Sequence, residues 1–200
     1  MKYSTNNTKV ASKPFITNEL MYMIDTINKK GNDYEMGLLI TCGFYTGLRY
    51  SDLMQIKWSD VLRDEFIITE NKTKKRRKIL VKGKFRALIN YYYDVMKVYN
   101  TNSLLFASPI NPNKGKAHQS MIRRFKKQVR LHTSLQTKYA SFHSLRKSFG
   151  MAIWEKSGRK DSTLLLLSEI YNHDSVATTR AYIGLREEEK ADVMDLIFFD

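Results

Sequence analysis

Residues 34–47, YEMGLLITCGFYTG, predict a nearly all-apolar helix, and a helix without a polar face belongs at the centre of a core. Gly47 is placed to end this helix, because glycine readily adopts the left-handed conformation of a helix C-terminus. Cys42, the single cysteine, cannot form an internal disulfide and is interpreted as a small buried hydrophobe. With 200 residues, 42% of them apolar, we expect one compact domain around this helix.

Apolar residues recur at helical spacing along most of the chain. Thr17 is predicted to be the N-cap of a first helix that buries Leu20, Met23, Ile24 and Ile27. Further helices are predicted over residues 49–56, 85–99, 121–129, 143–156, 162–171 and 187–197.

The predicted β-structure is confined to one place. Two β-rich runs, residues 66–69 and 78–81, flank a polar connection and predict a β-hairpin. Residues 100–117 contain two of the three prolines together with several Asn and Gly, which predicts a long loop. The fold class is therefore mainly α with a small β-hairpin or sheet.

Positive charge dominates the composition and is concentrated in two segments. The chain has 34 Lys and Arg against 20 Asp and Glu, and its net charge of +14 favours nucleic acid or an anionic membrane as a partner. Nine of the fifteen residues 72–86 and six of residues 116–130 are Lys or Arg, so we expect a long polyanion rather than a small ligand. For the second segment, a solvated helix face is the alternative.

The sequence shows no sign of a membrane or secretory protein. No run of about 18 apolar residues occurs, and the polar residues 1–15 lack the apolar core of a signal peptide. We therefore expect a cytoplasmic protein without membrane contact, in which residues 1–15 form a flexible lead-in.

The segment HSLRKSF, residues 143–149, combines two groups that suit anion chemistry. His143 and Arg146 are three residues apart and share a helix face, which places a proton-exchanging ring beside a permanent cation. Leu145 and Phe149 are expected to anchor the opposite face in the core. Surface decoration is the alternative if this face does not line a cleft.

Four segments carry such residues in a definite order: YTGLRYSDL at 45–53, NKTKK at 71–75, HSLRKSF at 143–149 and IYNHDSVATTRAYIG at 170–184. Together they resemble the tyrosine recombinases of the phage integrase family over about residues 17–184. The resemblance implies the mainly α fold of DNA breaking-rejoining enzymes. It also implies that residues 16–200 are the catalytic domain and that the N-terminal core-binding domain of most members is absent.

The resemblance implies a phosphate-binding role for Arg49, which follows Gly47 in a Thr-Gly-Leu-Arg motif. Asp52, where glutamate is commoner, is expected to orient the Arg49 guanidinium. A plain surface ion pair between Arg49 and Asp52 is the alternative.

A lysine on a β-hairpin is a further family feature, and Lys72 in NKTKK is the best match, with Lys74 and Lys75 as alternatives. This lysine would protonate the departing oxygen. By position and charge, the residues expected to contact DNA are Lys74, Lys75, Arg76, Arg77, Arg123, Arg124 and Lys127.

The last two motifs supply the remaining groups that the resemblance implies. Arg146 would be the second phosphate clamp and His143 the general base. Tyr182 follows His173 by nine residues, the family spacing that assigns Tyr182 as the nucleophile and His173 as a hydrogen-bond donor. Asn172 replaces the usual glycine before His173, and asparagine tolerates the left-handed conformation that such a turn uses.

The implied activity is site-specific DNA recombination through a 3′-phosphotyrosyl intermediate, without a metal, ATP or another cofactor. Two alternatives remain: a non-catalytic DNA-binding regulator, and an enzyme resembling a type IB topoisomerase. The expected partner is double-stranded DNA, on which the chain would form a dimer or tetramer through its C-terminal helix; that helix could instead fold back on its own domain. The short N-terminus fits a natural short recombinase like the fimbrial-switch invertases, an excised domain or a degenerate fragment.

Overall fold

The computed structural model describes residues 11–31 and 33–185, and the sequence prediction of a mainly α protein with a small sheet is confirmed. In chain order the elements are α1 Thr17–Lys30, α2 Tyr34–Thr46, α3 Tyr50–Leu53, α4 Trp58–Val61, β1 Glu65–Thr69, β2 Arg76–Leu80, α5 Gly83–Val95, α6 His118–His132, α7 Phe142–Lys156, α8 Asp161–Tyr171 and α9 Val176–Ile183. No helix within this part of the chain is long and apolar enough to cross a membrane.

Helix α2 lies at the centre of the molecule, as its apolar sequence predicted. It packs against α1, α5, α6 and α7, and ten of its thirteen residues are buried. Cys42 is fully buried there, and burial raises the pKa of its thiol. Asp33 caps the start of α2 by accepting a hydrogen bond from the Met36 backbone N–H, and Gly47 ends it in the left-handed conformation, with φ of 59°.

The strands β1 and β2 form a two-stranded antiparallel sheet in which Glu65 pairs with Leu80 and Thr69 with Arg76. Side chains alternate along β1, so Phe66 and Ile68 face the core. The hairpin was predicted, with boundaries a few residues away from those observed.

The buried apolar residues of the described part of the chain form two clusters. The larger contains α2 and the residues that α1, α5, α6, the hairpin and α7 turn towards it, including Phe142 and Leu145 from the first turns of α7. The smaller contains Met151 and Trp154 from the second half of α7, with residues of α8 and α9 and with Leu185. Helix α7 therefore connects the main body to the unit formed by α8 and α9.

Several predicted boundaries differ from the observed ones. Thr17 is the first residue of α1 rather than its cap, because Ile16 occupies the cap position without a side-chain hydrogen bond. The helix predicted over residues 85–99 ends at Val95. Residues 100–117 contain no helix or strand, only the isolated bridges Lys57–Leu104 and Ala107–Gly115. The helix predicted over residues 187–197 lies outside the described residues.

Two short helices, α4 and α9, were not predicted. Both are under nine residues, which is too short for the apolar spacing to reveal them. The cap of α9 is nevertheless clear, since the Ser175 hydroxyl accepts a hydrogen bond from the Thr178 backbone N–H.

Part of the predicted lead-in makes specific contacts. The Phe15 side chain is buried in the core, and its backbone N–H donates to Ser148 Oγ at 2.7 Å. Lys147 Nζ donates to the Ser12 carbonyl at 2.6 Å, and the Lys13 backbone N–H donates to the Tyr139 carbonyl at 3.1 Å. Residues 12–15 thus run along α7, whereas residues 1–10 lie outside the described part of the chain.

Candidate active site

One cleft of about 430 Å³ collects the six residues that the sequence predicted as catalytic. The hairpin turn, the start of α3, the first turns of α7 and the segment from the end of α8 to α9 form its walls. The predicted residues in its lining are Arg49, Lys72, His143, Arg146, His173 and Tyr182. Residues from four separate segments therefore meet at one place.

Arg49 reaches the cleft because the chain turns sharply at Gly47. Two residues later, Arg49 is in an extended conformation at the cap position of α3, with φ of −72° and ψ of 155°. Its Nη1 donates to Glu70 Oε2 at 2.7 Å, and 17% of its side chain is exposed on the cleft side. The guanidinium is thus held from behind and open in front.

Arg146 is almost fully buried on α7, with 1% exposure. Its Nη1 donates to the Gly47 carbonyl at 2.5 Å, and its Nη2 donates to the Tyr171 carbonyl at 3.3 Å. The guanidinium also lies over the Tyr171 ring, 4.4 Å from its centroid. Two backbone carbonyls and an aromatic face therefore fix this charge.

Glu70 is a residue of this site that the sequence analysis missed. Its carboxylate is 3% exposed and lies within 4.0 Å of Nη1 of Arg49, Arg77 and Arg146. Burial by itself raises the pKa of Glu70, but the hydrogen bond from Thr73 and the charges of Arg146 and Arg49 outweigh it and hold the pKa below its ordinary value. The β1 alternation could have identified Glu70, since it follows Phe66 and Ile68 on the buried face.

The expectation that Asp52 orients Arg49 is wrong. Asp52 Oδ1 instead accepts a hydrogen bond from the Asn71 backbone N–H at 2.8 Å, which fastens the hairpin turn to α3. The reason is that Arg49 precedes the first helical turn in an extended conformation, so the spacing that pairs residues on one helix face does not apply. The carboxylate that Arg49 contacts is that of Glu70.

The nucleophile predicted by spacing, Tyr182, lies on α9 beside both histidines. Its hydroxyl is 3.5 Å from His143 Nδ1, and its ring packs edge-on against His173 at a centroid distance of 5.0 Å. His173 Nδ1 is in turn 3.0 Å from Thr179 Oγ1, which fixes the imidazole plane. Lys147 Nζ lies over the Tyr182 ring, 5.2 Å from its centroid.

Burial and the two arginines set the protonation states in the cleft. Burial, then Arg146 and Arg49, lower the pKa of His143 below its ordinary 6.5, and the same causes act in the same direction on His173. Burial raises the pKa of Tyr182, whereas Arg146 and Arg49 act to lower it. Both imidazoles are therefore neutral at pH 7, and the phenol is protonated.

The hairpin turn brings its lysines to the cleft. Lys72 lines the cleft. The backbone of Lys74, two residues later, is in the left-handed conformation, with φ of 57°. Lys75 Nζ donates to Asn172 Oδ1, which links the turn to the end of α8. Asn172 itself is left-handed, with φ of 55°, so the expectation that asparagine preserves this turn is confirmed.

Two of the residues expected to contact DNA are engaged elsewhere. Arg77 points inward from β2, where its Nη2 donates to the Thr46 carbonyl at 2.5 Å, and burial and Arg146 lower its pKa to about 10. Arg124 forms ion pairs with Asp33 and Glu35. Arg77 lies on the same face of β2 as the buried Ile79, and Arg124 lies at the edge of the buried face of α6, beside Met121. The exposed residues of that set are Lys74, Lys75, Arg76, Arg123 and Lys127.

Within residues 11–31 and 33–185, no group of three or more His, Cys, Asp or Glu side chains is placed to hold a metal ion.

The sequence matches the family model described as "Phage integrase family" over residues 15–189. The chain belongs to the phage integrase family. The predicted resemblance is thereby confirmed, and membership places the chain in the enzyme class of site-specific recombinases that the sequence indicated.

One curated relative agrees with this assignment, and two solved structures are similar to this chain in fold. The probable integrase/recombinase YoeC of Bacillus subtilis (strain 168) is 31% identical over 163 residues, which cover 81% of this chain and 82% of YoeC. The solved structure of XerH site-specific recombinase bound to difH substrate in a pre-cleavage complex matches with a TM-score of 0.61 at 21% identity, over 97% of this chain and 58% of that chain. A lambda integrase tetramer bound to a Holliday junction matches with a TM-score of 0.58 at 17% identity, over 88% of this chain and 50% of that chain. This phage integrase family member thus spans between half and three-fifths of the length of the two solved chains.

Proposed function

We propose that this chain cleaves and rejoins duplex DNA at a specific site through a 3′-phosphotyrosyl intermediate formed on Tyr182. The observation that carries the proposal is the placement of the Tyr182 hydroxyl, 3.5 Å from His143 Nδ1 in a cleft that Arg49 and Arg146 also line. A nucleophile, a neutral base and two guanidiniums converge there, which is what attack on a phosphodiester requires.

Side chains of this chain can carry out both proton transfers that the cleavage step needs. The Tyr182 oxygen bonds to phosphorus and its proton goes to His143, while the bond from phosphorus to the 5′ oxygen breaks. Lys72 gives a proton to that oxygen, which leaves as a free 5′-hydroxyl. Attack of a 5′-hydroxyl on the phosphotyrosine reverses the step, so the ester conserves the bond energy and rejoining needs no ATP.

The two arginines stabilise the charge that builds on the non-bridging oxygens as the fifth ligand arrives. Each guanidinium presents a planar fork suited to two oxygens. Their fixed donors, together with His173, would supply the charge neutralisation that metal ions give in other phosphoryl transferases. We therefore propose a reaction that uses neither metal nor cofactor.

Duplex DNA is the proposed substrate, and assembly into a dimer or tetramer on it is part of the proposal. The support comes from the exposed basic residues of the hairpin and α6, and from the similarity in fold to XerH bound to difH and to a lambda integrase tetramer bound to a Holliday junction. The C-terminal helix expected to mediate assembly falls on residues 187–197, outside the described part of the chain.

A trapping experiment tests the function. The protein is incubated with nicked suicide duplexes that carry candidate attachment sites, and SDS-resistant adducts are counted for wild type, Tyr182→Phe and the matched control Tyr99→Phe. Tyr99 is 93% exposed and lies outside the cleft. We expect an adduct with wild type and Tyr99→Phe and none with Tyr182→Phe.

The alternatives give other results. Salt-sensitive DNA binding without any adduct would favour the non-catalytic regulator. Adducts on every duplex, together with relaxation of supercoiled plasmid irrespective of sequence, would favour an enzyme resembling a type IB topoisomerase.

A further inference from the structure

Glu70 is a buried carboxylate at the back of the cleft, behind the exposed edge of Arg49. We propose that Glu70 is a positioning residue that aims the Arg49 guanidinium at the scissile phosphate and ties it to the turn that carries Lys72. This inference rests on the proposed function and deepens it.

Arg49 depends on Glu70 in a way that Arg146 does not. Arg146 has two backbone carbonyls as acceptors, those of Gly47 and Tyr171. The Nη1–Oε2 bond of 2.7 Å to Glu70 is the hydrogen bond that the structure gives the Arg49 side chain within the described residues. Loss of the Glu70 oxygen would therefore free Arg49 and leave Arg146 in place.

The same carboxylate oxygen also holds the hairpin turn. Thr73 Oγ1 donates to Glu70 Oε2 at 2.9 Å, and the Lys74 backbone N–H donates to the Glu70 carbonyl at 2.9 Å. Thr73 directly follows Lys72, the proposed general acid. One oxygen thus connects a phosphate clamp with the group that protonates the leaving oxygen.

Glu70 does not compete with DNA for the front of the cleft. Its side chain is 3% exposed and is absent from the cleft lining, whereas Arg49 and Thr73 both line it. The carboxylate can keep its bond to one side of the guanidinium while the other side meets a phosphate, because a guanidinium has five N–H donors.

The first test compares rates of adduct formation for Glu70→Ala, Glu70→Gln and the control Glu65→Gln. Glu65 lies on the same strand, but its carboxylate is half exposed and pairs with Lys78. We expect Glu70→Ala to slow trapping by about 10–100-fold. Glu70→Gln retains an acceptor oxygen for Arg49 and should recover most of that loss, and Glu65→Gln should match wild type. Equal defects in the alanine and glutamine variants would overturn the proposal.

A substrate change separates positioning from general damage to the fold. The scissile phosphate is replaced by each diastereomer of a methylphosphonate, which removes the charge of one non-bridging oxygen. When the oxygen that Arg49 contacts is replaced by a methyl group, Arg49 no longer has a charge to stabilise there. The rate defect of Arg49→Ala should therefore be smaller on that diastereomer than on the phosphate. Glu70→Ala should follow Arg49→Ala on that same diastereomer. A Glu70→Ala defect of the same size on all three substrates would overturn the proposal.

A measurement without cleavage keeps the inference independent of the proposed reaction. Arginine-selective NMR shows separate signals for the two Nη groups of Arg49 when a hydrogen bond slows rotation of the guanidinium. The signals that disappear in Arg49→Lys are those of Arg49. We expect separate signals in wild type and Glu70→Gln, and merged signals in a folded Glu70→Ala protein. Separate signals in Glu70→Ala would refute the role of Glu70, whereas lack of any adduct with wild type would refute the proposed function alone.

Discussion

At the residue scale, the charge state of His143 controls the proposed chemistry. Burial and the neighbouring arginines lower its pKa below 6.5, so the ring is neutral at pH 7 and can accept the Tyr182 proton. Protonation begins only as the pH falls through this lowered pKa. The base is therefore lost on the acid side and retained above it.

The lowered pKa of His143 predicts how the rate of trapping depends on pH. Single-turnover trapping measured between about pH 5 and 8 should fall on acidification, with a midpoint below 6.5, the ordinary pKa of histidine. His143→Ala should be slow and lack this acid limb. His173→Gln should also trap more slowly, because it loses a hydrogen-bond donor, but its rate should keep the acid limb. An acid limb that persists in His143→Ala would assign the base to another group.

At the element scale, Gly47 joins three features of the site: it ends α2, precedes Arg49 by two residues, and offers its carbonyl to Arg146. Its φ of 59° is left-handed, and an added Cβ would lie 2.5 Å from Phe149 Cδ1. An alanine there would carry both the backbone strain and the steric conflict.

We therefore predict that Gly47→Ala lowers the free energy of unfolding by about 2–4 kcal/mol in urea denaturation. Gly83→Ala is the matched control, because Gly83 is also left-handed, with φ of 54°, but an added Cβ meets nothing within 4 Å. That variant should lose only about 1–2 kcal/mol. Equal losses would mean that the Phe149 contact relaxes without cost.

The same elements show how far sequence reasoning reaches. The apolar run of α2, the hairpin and the helix carrying His143 and Arg146 follow local periodicity, so they could be predicted. Glu70 as the partner of Arg49 could not, because the pairing joins the end of β1 to the start of α3 across the fold. Helix α9 was missed because only Thr179 and Ile183 are buried in it, too few to form a pattern.

At the scale of the whole molecule, neighbouring arginines of α6 have different tasks. Arg123 is exposed, whereas Arg124 is half-exposed and bridges Asp33 and Glu35 at the start of α2. Exposed cations dominate the salt-dependent part of DNA binding, because each phosphate contact releases counterions.

We predict that Arg123→Ala weakens DNA binding and reduces the slope of log affinity against log salt by about 1. Arg124→Ala should leave that slope nearly unchanged and lower unfolding stability by about 1 kcal/mol. Fluorescence anisotropy between about 50 and 200 mM salt, with urea unfolding alongside, measures both quantities. A slope change in Arg124→Ala alone would reverse the assignment.

The division of the core into two clusters has a consequence for motion. The smaller cluster, beneath α8 and α9, contains far fewer buried apolar residues than the cluster around α2, so its local opening should cost less than global unfolding. Amides of α9 should therefore exchange with deuterium sooner than those of α2. Each such excursion would carry the tyrosine away and, because Tyr171 lies in the same cluster, would also release one of the two carbonyls that hold Arg146. Arg49 would keep its bond to Glu70, so the rate of strand exchange would be limited by how often this small subdomain opens.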